Sequence, residues 1–186
     1  LIGYNTDGRG YVESLIEETG ETLADKHVLV IGAGGAARGI VTALLRRGIK
    51  KLTITNRTEE KALPLIEIAA SLQTAAEVIK RKDAEKRLEE YDIIINTTSV
   101  GMSPDTNVSP LSLEALPLGK IVSDLIYNPL ETKFLKEARL KGAKTVNGVG
   151  MFVNQAALAF EYWTGKRPDR QRMKQLVLNT LGGATC

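Results

Sequence analysis

The sequence predicts an α/β fold, a Rossmann-like doubly wound parallel sheet with helices on both faces, followed by two C-terminal helices. Three observations lead to this prediction. Short apolar runs alternate with longer helical patterns, as expected for βαβ units. A glycine-rich turn, Gly32-Ala33-Gly34-Gly35-Ala36, joins the first apolar run to a helix. The chain has 186 residues, 43% of them apolar, which is enough for one cored domain with appended elements.

The first half of the chain predicts three helices and three strands in alternation. They are a helix at residues 6–18, a strand at 27–31, a helix at 35–47, a strand at 52–55, a helix at 59–72 and a strand at 74–79. The strands are short apolar runs, and the helices are longer segments with helical spacing of apolar residues. Gly20 and Gly48 are expected to end the first two helices, because glycine accepts the left-handed backbone found there.

The second half continues the alternation and ends in helices. The predicted elements are a short polar helix at residues 84–90, strands at 92–97, 120–124 and 143–146, a helix at 135–141, and two final helices at 151–164 and 169–181. Residues 103–117 contain three prolines and are predicted to form a loop with at most one helical turn.

Composition and charge argue against several classes of function. The formal net charge is only +3 and the basic residues are spread along the chain, so we expect no nucleic-acid partner. No apolar stretch is long enough to span a membrane, so we expect no membrane partner. Cys186 is the only cysteine and His27 the only histidine, so we expect neither a disulfide framework nor a metal site. These features favour a cytoplasmic protein.

The glycine-rich turn is the sharpest local pattern in the sequence. Gly32 would permit a tight turn after the strand, and Gly34 would let the backbone approach a pyrophosphate. Ala37 stands at the third glycine position of the dinucleotide-binding motif, where a small side chain lets helix and strand pack closely. The free N–H groups of the first helical turn would then face the anion. The alternative is a plain glycine-rich connection between strand and helix.

The residues after the second strand distinguish NADP from NAD. NAD-binding domains usually carry Asp or Glu there, which binds the adenosine ribose hydroxyls and would repel a 2′-phosphate. This chain has Asn56, Arg57 and Thr58, followed by Lys61. Arg57 can bind a phosphate through charge-assisted hydrogen bonds, and a bound phosphate would offset the unfavourable position of Lys61 in the first turn of a helix. We therefore expect NADP as the cofactor. The alternative is that Arg57 and Lys61 are solvated surface charges.

Four motifs, in this order, resemble those of the shikimate dehydrogenase family. They are Asn5-Thr6-Asp7-Gly8, the glycine-rich turn, Asn56-Arg57-Thr58-x-x-Lys61 and Gly148-x-Gly150-Met151-x-x-x-Gln155. The resemblance covers essentially the whole chain. It implies an NADP-dependent oxidoreductase that interconverts 3-dehydroshikimate and shikimate, in aromatic amino-acid and chorismate biosynthesis. Two alternatives remain open: a quinate/shikimate dehydrogenase relative, and a non-catalytic NADP-binding module, which would not need Asp7, Tyr127 and Gln155.

The resemblance also implies roles for individual residues. Those that would contact the cofactor are Gly32, Ala33, Gly34, Gly35, Ala36, Asn56, Arg57, Thr58, Lys61, Thr97, Thr98, Leu125, Gly148 and Met151. Asp7, Tyr127 and Gln155 would contact the substrate. Family members often have Arg at the position of Lys61, so this chain keeps the charge but loses the bidentate geometry. Met151 and Gln155 are separated by one helical turn and would share a helix face.

The same resemblance implies how the chain is organised. Residues 1–22 would form a hinge helix, 23–147 the NADP-binding domain, and 148–186 C-terminal helices that pack on an N-terminal substrate domain. In the family, Asp7 pairs with a lysine general acid/base of that domain, and no residue of this chain represents that lysine. The chain opens as if in the middle of a protein. We therefore expect a truncated start, and no dehydrogenase activity from these 186 residues alone.

The helix predicted at residues 151–164 carries apolar residues most of the way round. Such a helix needs cover on several sides, and the sheet with its crossover helices supplies only one. We therefore expect an exposed apolar patch made by the two C-terminal helices and by the first helix around Tyr11 and Leu15. Self-association through this patch, or displaced or mobile helices, would follow.

Overall fold

Six parallel strands form the central sheet of the computed structural model, which describes residues 3–182. The strands are β1 (His27–Ile31), β2 (Lys51–Thr55), β3 (Ala75–Ile79), β4 (Ile93–Asn96), β5 (Ile121–Asp124) and β6 (Lys144–Val146). Their order across the sheet is β3-β2-β1-β4-β5-β6. This is the doubly wound order of a Rossmann sheet, and it confirms the predicted fold class. Cys186 lies outside the described residues.

Helices cover both faces of the sheet. They are α1 (Asp7–Thr19), α2 (Gly35–Leu45), α3 (Leu63–Ser71), α4 (Arg81–Lys86), α5 (Lys133–Leu140), α6 (Val149–Thr164) and α7 (Arg170–Gly182). Gly20 directly follows α1 with a φ of 71°, which confirms that it ends this helix. Gly48 has a φ of 75°, but α2 already ends at Leu45, before the predicted Arg47. Between β4 and β5 the chain forms a loop, as predicted, with several turns and no helix; one of the turns is closed by the Leu116 N–H, which donates to the Leu113 carbonyl.

The segment predicted as one helix at residues 59–72 divides into two parts. It begins with a 3-10 turn at Glu59–Ala62 and continues as α3. Pro64 lies in the first turn of α3. Proline has no N–H to donate to an earlier carbonyl and its fixed φ suits the start of a helix, so the α-helical part begins there.

The helix predicted at residues 84–90 is wrong in its bounds. Helix α4 begins at Arg81 and ends at Lys86, and a separate 3-10 turn follows at Leu88–Glu90. Arg87 lies between them and pairs with Glu77 at 2.9 Å and with Glu90 at 2.7 Å. The ion pair with Glu77 connects the end of α4 to strand β3, and the ion pair with Glu90 connects it to the 3-10 turn.

Apolar side chains of the strands alternate between two core clusters, one on each face of the sheet. Val28 and Val30 of β1 face the cluster that α1, α2 and α3 cover, and Leu29 and Ile31 face the cluster that α4 and α5 cover. In the part of the chain that the structure describes, no helix is both long and apolar enough to cross a membrane.

Helix α1 packs closely against α2 and α6 because glycines line the contact. A Cβ on Gly8 would lie 2.2 Å from the Gly39 carbonyl oxygen, and one on Gly10 would lie 2.6 Å from the Gln155 nitrogen. This approach carries Tyr11 and Leu15 into the core, where they are 2% and 0% exposed. The expectation that these two residues belong to an exposed patch is therefore wrong.

Candidate functional site

The glycine turn follows β1, next to the point between β1 and β4 where the strand order reverses. Gly32 has φ of 107°, in the left-handed region that favours glycine, and its N–H donates to the Thr55 carbonyl at 2.8 Å. A Cβ there would also lie 2.7 Å from Thr97 Oγ1. Both backbone conformation and space therefore require glycine at this position, and the tight turn predicted from the sequence is confirmed.

The turn leads directly into α2 and leaves its backbone accessible. Gly34 is the N-cap residue of α2, and no side chain caps the free N–H groups of the first turn. A Cβ on Gly34 or Gly35 would meet no heavy atom within 4 Å. Ala37 is fully buried, as its small size predicted. The turn therefore offers unpaired N–H groups to open space, an arrangement that can hold an anion.

A cleft of about 730 Å³ opens beside this turn, along the carboxyl ends of β1, β2 and β3. Gly32, Asn56, Arg57 and Thr98 line it, as do Glu59, Lys80, Arg81, Ser99, Ser109 and Pro110. Asn56 Nδ2 donates to the Thr58 carbonyl at 2.6 Å, which folds the chain after β2 into a compact turn at the rim. Three cationic side chains and one carboxylate thus surround the cleft.

A second cleft, of about 390 Å³, continues from the first toward β5. The two clefts share Thr98 and Ser99 as walls. Ala36, Thr97, Leu125 and Tyr127 also line the second cleft. Gly148 supports this wall from behind, because its backbone N–H donates to the Ile126 carbonyl at 3.0 Å. The two clefts therefore adjoin at Thr98 and Ser99 and form one path along the carboxyl edge of the sheet.

A buried polar network fixes the loop that separates the two clefts. Asn96 Nδ2 donates to Asp124 Oδ1 at 3.0 Å and to the Val100 carbonyl at 3.3 Å. Asn96 Oδ1 accepts from the Thr98 N–H at 3.0 Å and from the Thr98 hydroxyl at 2.7 Å. The Thr132 hydroxyl donates to Asp124 Oδ2 at 2.8 Å. The cleft walls after β4 and β5 are therefore held by side chains that do not line the clefts themselves.

Burial makes Asp124 sensitive to pH. Loss of solvent raises the pKa of this carboxyl from 3.8 to about 6, although hydrogen bonds from the Ile126 N–H, Thr132 and Asn96 favour the ionised form. A carboxyl whose pKa is raised by folding binds more protons in the folded state than in the unfolded state. Its contribution to stability therefore falls as the pH rises from about 4 to about 6.

Asp124→Asn is expected to remove this pH dependence, because the amide does not titrate. A pKa difference of this size corresponds to about 3 kcal/mol. The free energy of unfolding of the parent protein should therefore fall by up to that amount, relative to that of the variant, as the pH rises from about 4 to about 6. Denaturant unfolding at several pH values measures the difference, and equal slopes for parent and variant would contradict it. Glu77→Gln is a control in which the pH dependence should have the opposite sign. The hydrogen bond from Arg87 lowers the pKa of Glu77 to about 2, so the stabilising contribution of the Glu77 carboxylate is lost as the pH falls.

The residues that the resemblance assigns to the substrate are only partly brought together. Tyr127 lines the second cleft and packs on Phe152 of α6, with ring centroids 4.8 Å apart. Gln155 Nε2 donates to the Phe152 carbonyl at 3.1 Å, so it lies near the same ring. Asp7 begins α1, one turn before Gly10, which contacts Gln155. Nine of the predicted site residues line neither cleft: Asp7, Ala33, Gly34, Gly35, Thr58, Lys61, Gly148, Met151 and Gln155.

Several residues of the clefts were missed by reasoning from the sequence. Lys80 and Arg81 follow β3, and the signal that could have found them is the position of β3 beside β2. Glu59 also lines the first cleft, so a carboxylate lies in the same cavity as Asn56 and Arg57. The contact of Phe152 with Tyr127 was also missed, because an aromatic residue in an apolar helix is normally assigned to the core.

Fold and site define a Rossmann-type dinucleotide-binding domain, of the kind that NAD(P)-dependent oxidoreductases use. A family model described as shikimate / quinate 5-dehydrogenase matches residues 14–106, and one described as shikimate 5′-dehydrogenase C-terminal domain matches residues 148–178. The chain belongs to the shikimate / quinate 5-dehydrogenase family.

Individual proteins show the same similarity. The shikimate dehydrogenase (NADP(+)) of Geobacillus kaustophilus is 58% identical over 181 residues, 97% of this chain and 65% of that protein. A crystal structure of a shikimate dehydrogenase in complex with NADP+ has a TM-score of 0.88 at 42% identity and covers 97% of this chain and 63% of that one. Quinate dehydrogenase from Corynebacterium glutamicum, in complex with NAD, has a TM-score of 0.87 at 30% identity, with coverages of 95% and 63%. The chain thus spans less than two thirds of the length of these relatives.

Proposed function

We propose that this chain is the cofactor-binding part of an NADP-dependent shikimate dehydrogenase of the cytoplasm, which reversibly reduces 3-dehydroshikimate to shikimate in aromatic amino-acid biosynthesis. The observation that carries the proposal is the cleft at the carboxyl ends of β1, β2 and β3, where Gly32 of the glycine turn lines one cavity together with Asn56 and Arg57. Membership of the family and the NADP+ complex of a similar protein support it.

The residues present fit a dinucleotide phosphate. The open backbone at Gly34 and Gly35 can receive a pyrophosphate, with Gly32, Ala33 and Ala36 completing the turn. Asn56 and Arg57 then lie at the adenosine end of the path, where Arg57 can bind a 2′-phosphate. Thr58 and Lys61 follow on the same rim and add polar and cationic groups outside the cleft.

The nicotinamide end of the path is the second cleft. When bound there, the nicotinamide supplies the hydride chemistry at its C4 atom. Thr97, Thr98 and Leu125 form the walls that would orient the ring, and Gly148 holds the Leu125 peptide in place. Met151 and Leu125 are both partly buried and pack against the same core cluster. The role of these residues is to position the ring and to exclude water from it.

The substrate side is formed by Tyr127, Gln155 and Asp7. Tyr127 lines the second cleft and its ring packs on Phe152 of α6, whose carbonyl accepts a hydrogen bond from Gln155 Nε2. In the proposed function both side chains donate hydrogen bonds to substrate hydroxyls. Asp7 orients the lysine that the family motif implies as the proton acceptor for the substrate hydroxyl. Quinate is a second candidate substrate, which the similarity to quinate dehydrogenase supports.

The 186 residues alone are expected to bind NADP+ without oxidising shikimate. The cofactor residues are present, whereas the lysine that pairs with Asp7 in the family motif has no counterpart among them. Calorimetry measures binding, and the absorbance of NADPH measures turnover with shikimate. NADPH formation above a blank, abolished by Asp7→Ala, would show that the proton acceptor lies within these residues.

The aromatic surface of α6 is the contact proposed for partners of this domain. It consists of Phe160, Tyr162 and Trp163, of which Trp163 is 84% exposed, together with Tyr4, whose ring stacks on Tyr162 at 4.5 Å. Large contiguous apolar surfaces are uncommon on monomers. In the longer protein proposed here this surface would pack on the substrate domain, and in the 186 residues alone we expect it to drive self-association.

Trp163→Ser is therefore expected to lower self-association of the 186 residues, because it removes the largest exposed apolar side chain of the aromatic surface. Light scattering over a range of concentrations measures the mean mass. Leu118→Ser is the matched control, because Leu118 is 81% exposed but lies in the loop between β4 and β5. A parent protein that stays a monodisperse monomer would refute the proposed contact.

A further inference from the structure

The carboxyl ends of β2 and β3 place two basic segments side by side. The strands pair in parallel with Thr55 opposite Ile79, so the first residues beyond them, Asn56 and Lys80, leave the sheet at the same edge. Neighbouring strands are about 4.8 Å apart, a distance that one phosphate group can bridge. Arg57 and Arg81 come next in each segment.

Both segments line the cleft of about 730 Å³ that begins at the glycine turn. Lys80 is exposed, and within residues 3–182 neither Lys80 nor Arg57 forms an ion pair. Arg81, in contrast, pairs with Glu85 at 3.3 Å, so its charge is partly compensated. Glu59 is the carboxylate that lines the cleft with them. Two uncompensated cations, Arg57 and Lys80, therefore face one cavity from two neighbouring strands.

A phosphate monoester carries about two negative charges near neutral pH. One arginine neutralises only half of that charge, and Glu59 opposes binding. A second cation on the other side of the group both completes the neutralisation and fixes the phosphate between two strand ends. The amino group of lysine suits this task, because it acts as a mobile point charge that can follow the phosphate.

We propose that Lys80 is a second phosphate-binding residue of the cleft, which contacts the 2′-phosphate of NADP(H) opposite Arg57 and shares with it the selection of NADP over NAD. The proposal rests on the proposed function, because it assigns the adenosine end of the cofactor to this cleft. It adds a specificity-determining residue from β3 to those that follow β2.

The test compares Lys80→Ala with Lys82→Ala in the full chain. Lys82 is exposed and close in sequence but does not line the cleft, so it controls for the loss of one positive charge in this region. Calorimetric titrations with NADP+ and NAD+ give the two affinities for each variant. Lys80→Ala is expected to weaken NADP+ binding about tenfold and to leave NAD+ binding within about twofold. Lys80→Arg should restore most of the loss.

Three results would overturn the assignment of Lys80. One is an NADP+ affinity within about twofold of the parent, and another is an equal loss for NADP+ and NAD+, which would place Lys80 on a part common to both cofactors. The third is an equal effect of Lys82→Ala, which would show a long-range charge effect. If Arg57→Ala still lowers NADP+ affinity selectively in these cases, the proposed function stands and only the role of Lys80 fails. If neither variant changes selectivity, the placement of the 2′-phosphate itself fails.

Discussion

Arg57→Ala is expected to weaken NADP(H) binding by about tenfold or more and to leave NAD(H) binding nearly unchanged. A charge-assisted hydrogen bond to a phosphate contributes on the order of 1.5–3 kcal/mol, and only NADP(H) carries the 2′-phosphate. Arg57 is exposed on the rim of the cleft, so its removal should leave the fold intact. Calorimetric titration of the parent and the variant with both cofactors measures the effect.

The control for Arg57→Ala is a second exposed arginine away from both clefts. Arg172→Ala meets this requirement, because Arg172 lies in α7 and lines neither cleft. It should leave both affinities unchanged. An equal loss of NADP(H) and NAD(H) affinity in Arg57→Ala would contradict the assignment of Arg57 to the 2′-phosphate. It would show that Arg57 contacts a part of the cofactor that both molecules share.

Gly148→Ala is expected to lower the unfolding free energy by about 3 kcal/mol. The φ and ψ angles of Gly148 are −76° and −5°, a conformation that alanine adopts freely, so the backbone itself imposes no strain. A Cβ there would lie 1.9 Å from the Leu125 carbonyl oxygen and 2.5 Å from its carbonyl carbon. These are backbone atoms, which cannot rotate away. The wall of the second cleft must therefore move, and NADP+ affinity should fall as well.

Gly35→Ala provides the matched comparison for Gly148→Ala. Gly35 is the first residue of α2, and a Cβ there would meet nothing within 4 Å. Its substitution should change the unfolding free energy by less than about 0.5 kcal/mol. Denaturant unfolding measures the change in unfolding free energy for both variants. If both lose the same stability, the close contact of Gly148 with Leu125 does not constrain the fold.

Local patterns were enough to predict the sheet and the glycine turn. Strand β1 was predicted with its observed bounds, His27–Ile31, because a buried parallel strand is a continuous apolar run bounded by polar and glycine residues. The tight turn at Gly32 and the packed small side chain at Ala37 were also predicted, because the spacing of these two residues follows from the geometry of one strand-to-helix turn. Both patterns are contained in a short stretch of chain.

Features that depend on distant segments could not be predicted in this way. The hydrogen bond between Asn96 and Asp124 joins two strand ends that are 28 residues apart in the sequence and adjacent only in the sheet. Lys80 enters the first cleft because β3 pairs with β2. Tyr11 was expected on the surface and is buried because Gly8 and Gly10 let α1 approach its neighbours. Each outcome is set by tertiary packing, which local spacing does not report.

A crystal structure of the protein with NADP+ bound would test the central claim most directly. We expect the pyrophosphate over the turn that begins at Gly32, the 2′-phosphate beside Arg57, and the nicotinamide in the second cleft between Leu125 and Tyr127. A different cleft, of about 640 Å³, lies between α1 and α2 and is lined by four arginines, Arg9, Arg38, Arg46 and Arg47. Gly35 also lines that cleft, so the contradicting result would be NADP+ bound there with no phosphate beside Gly32 or Arg57.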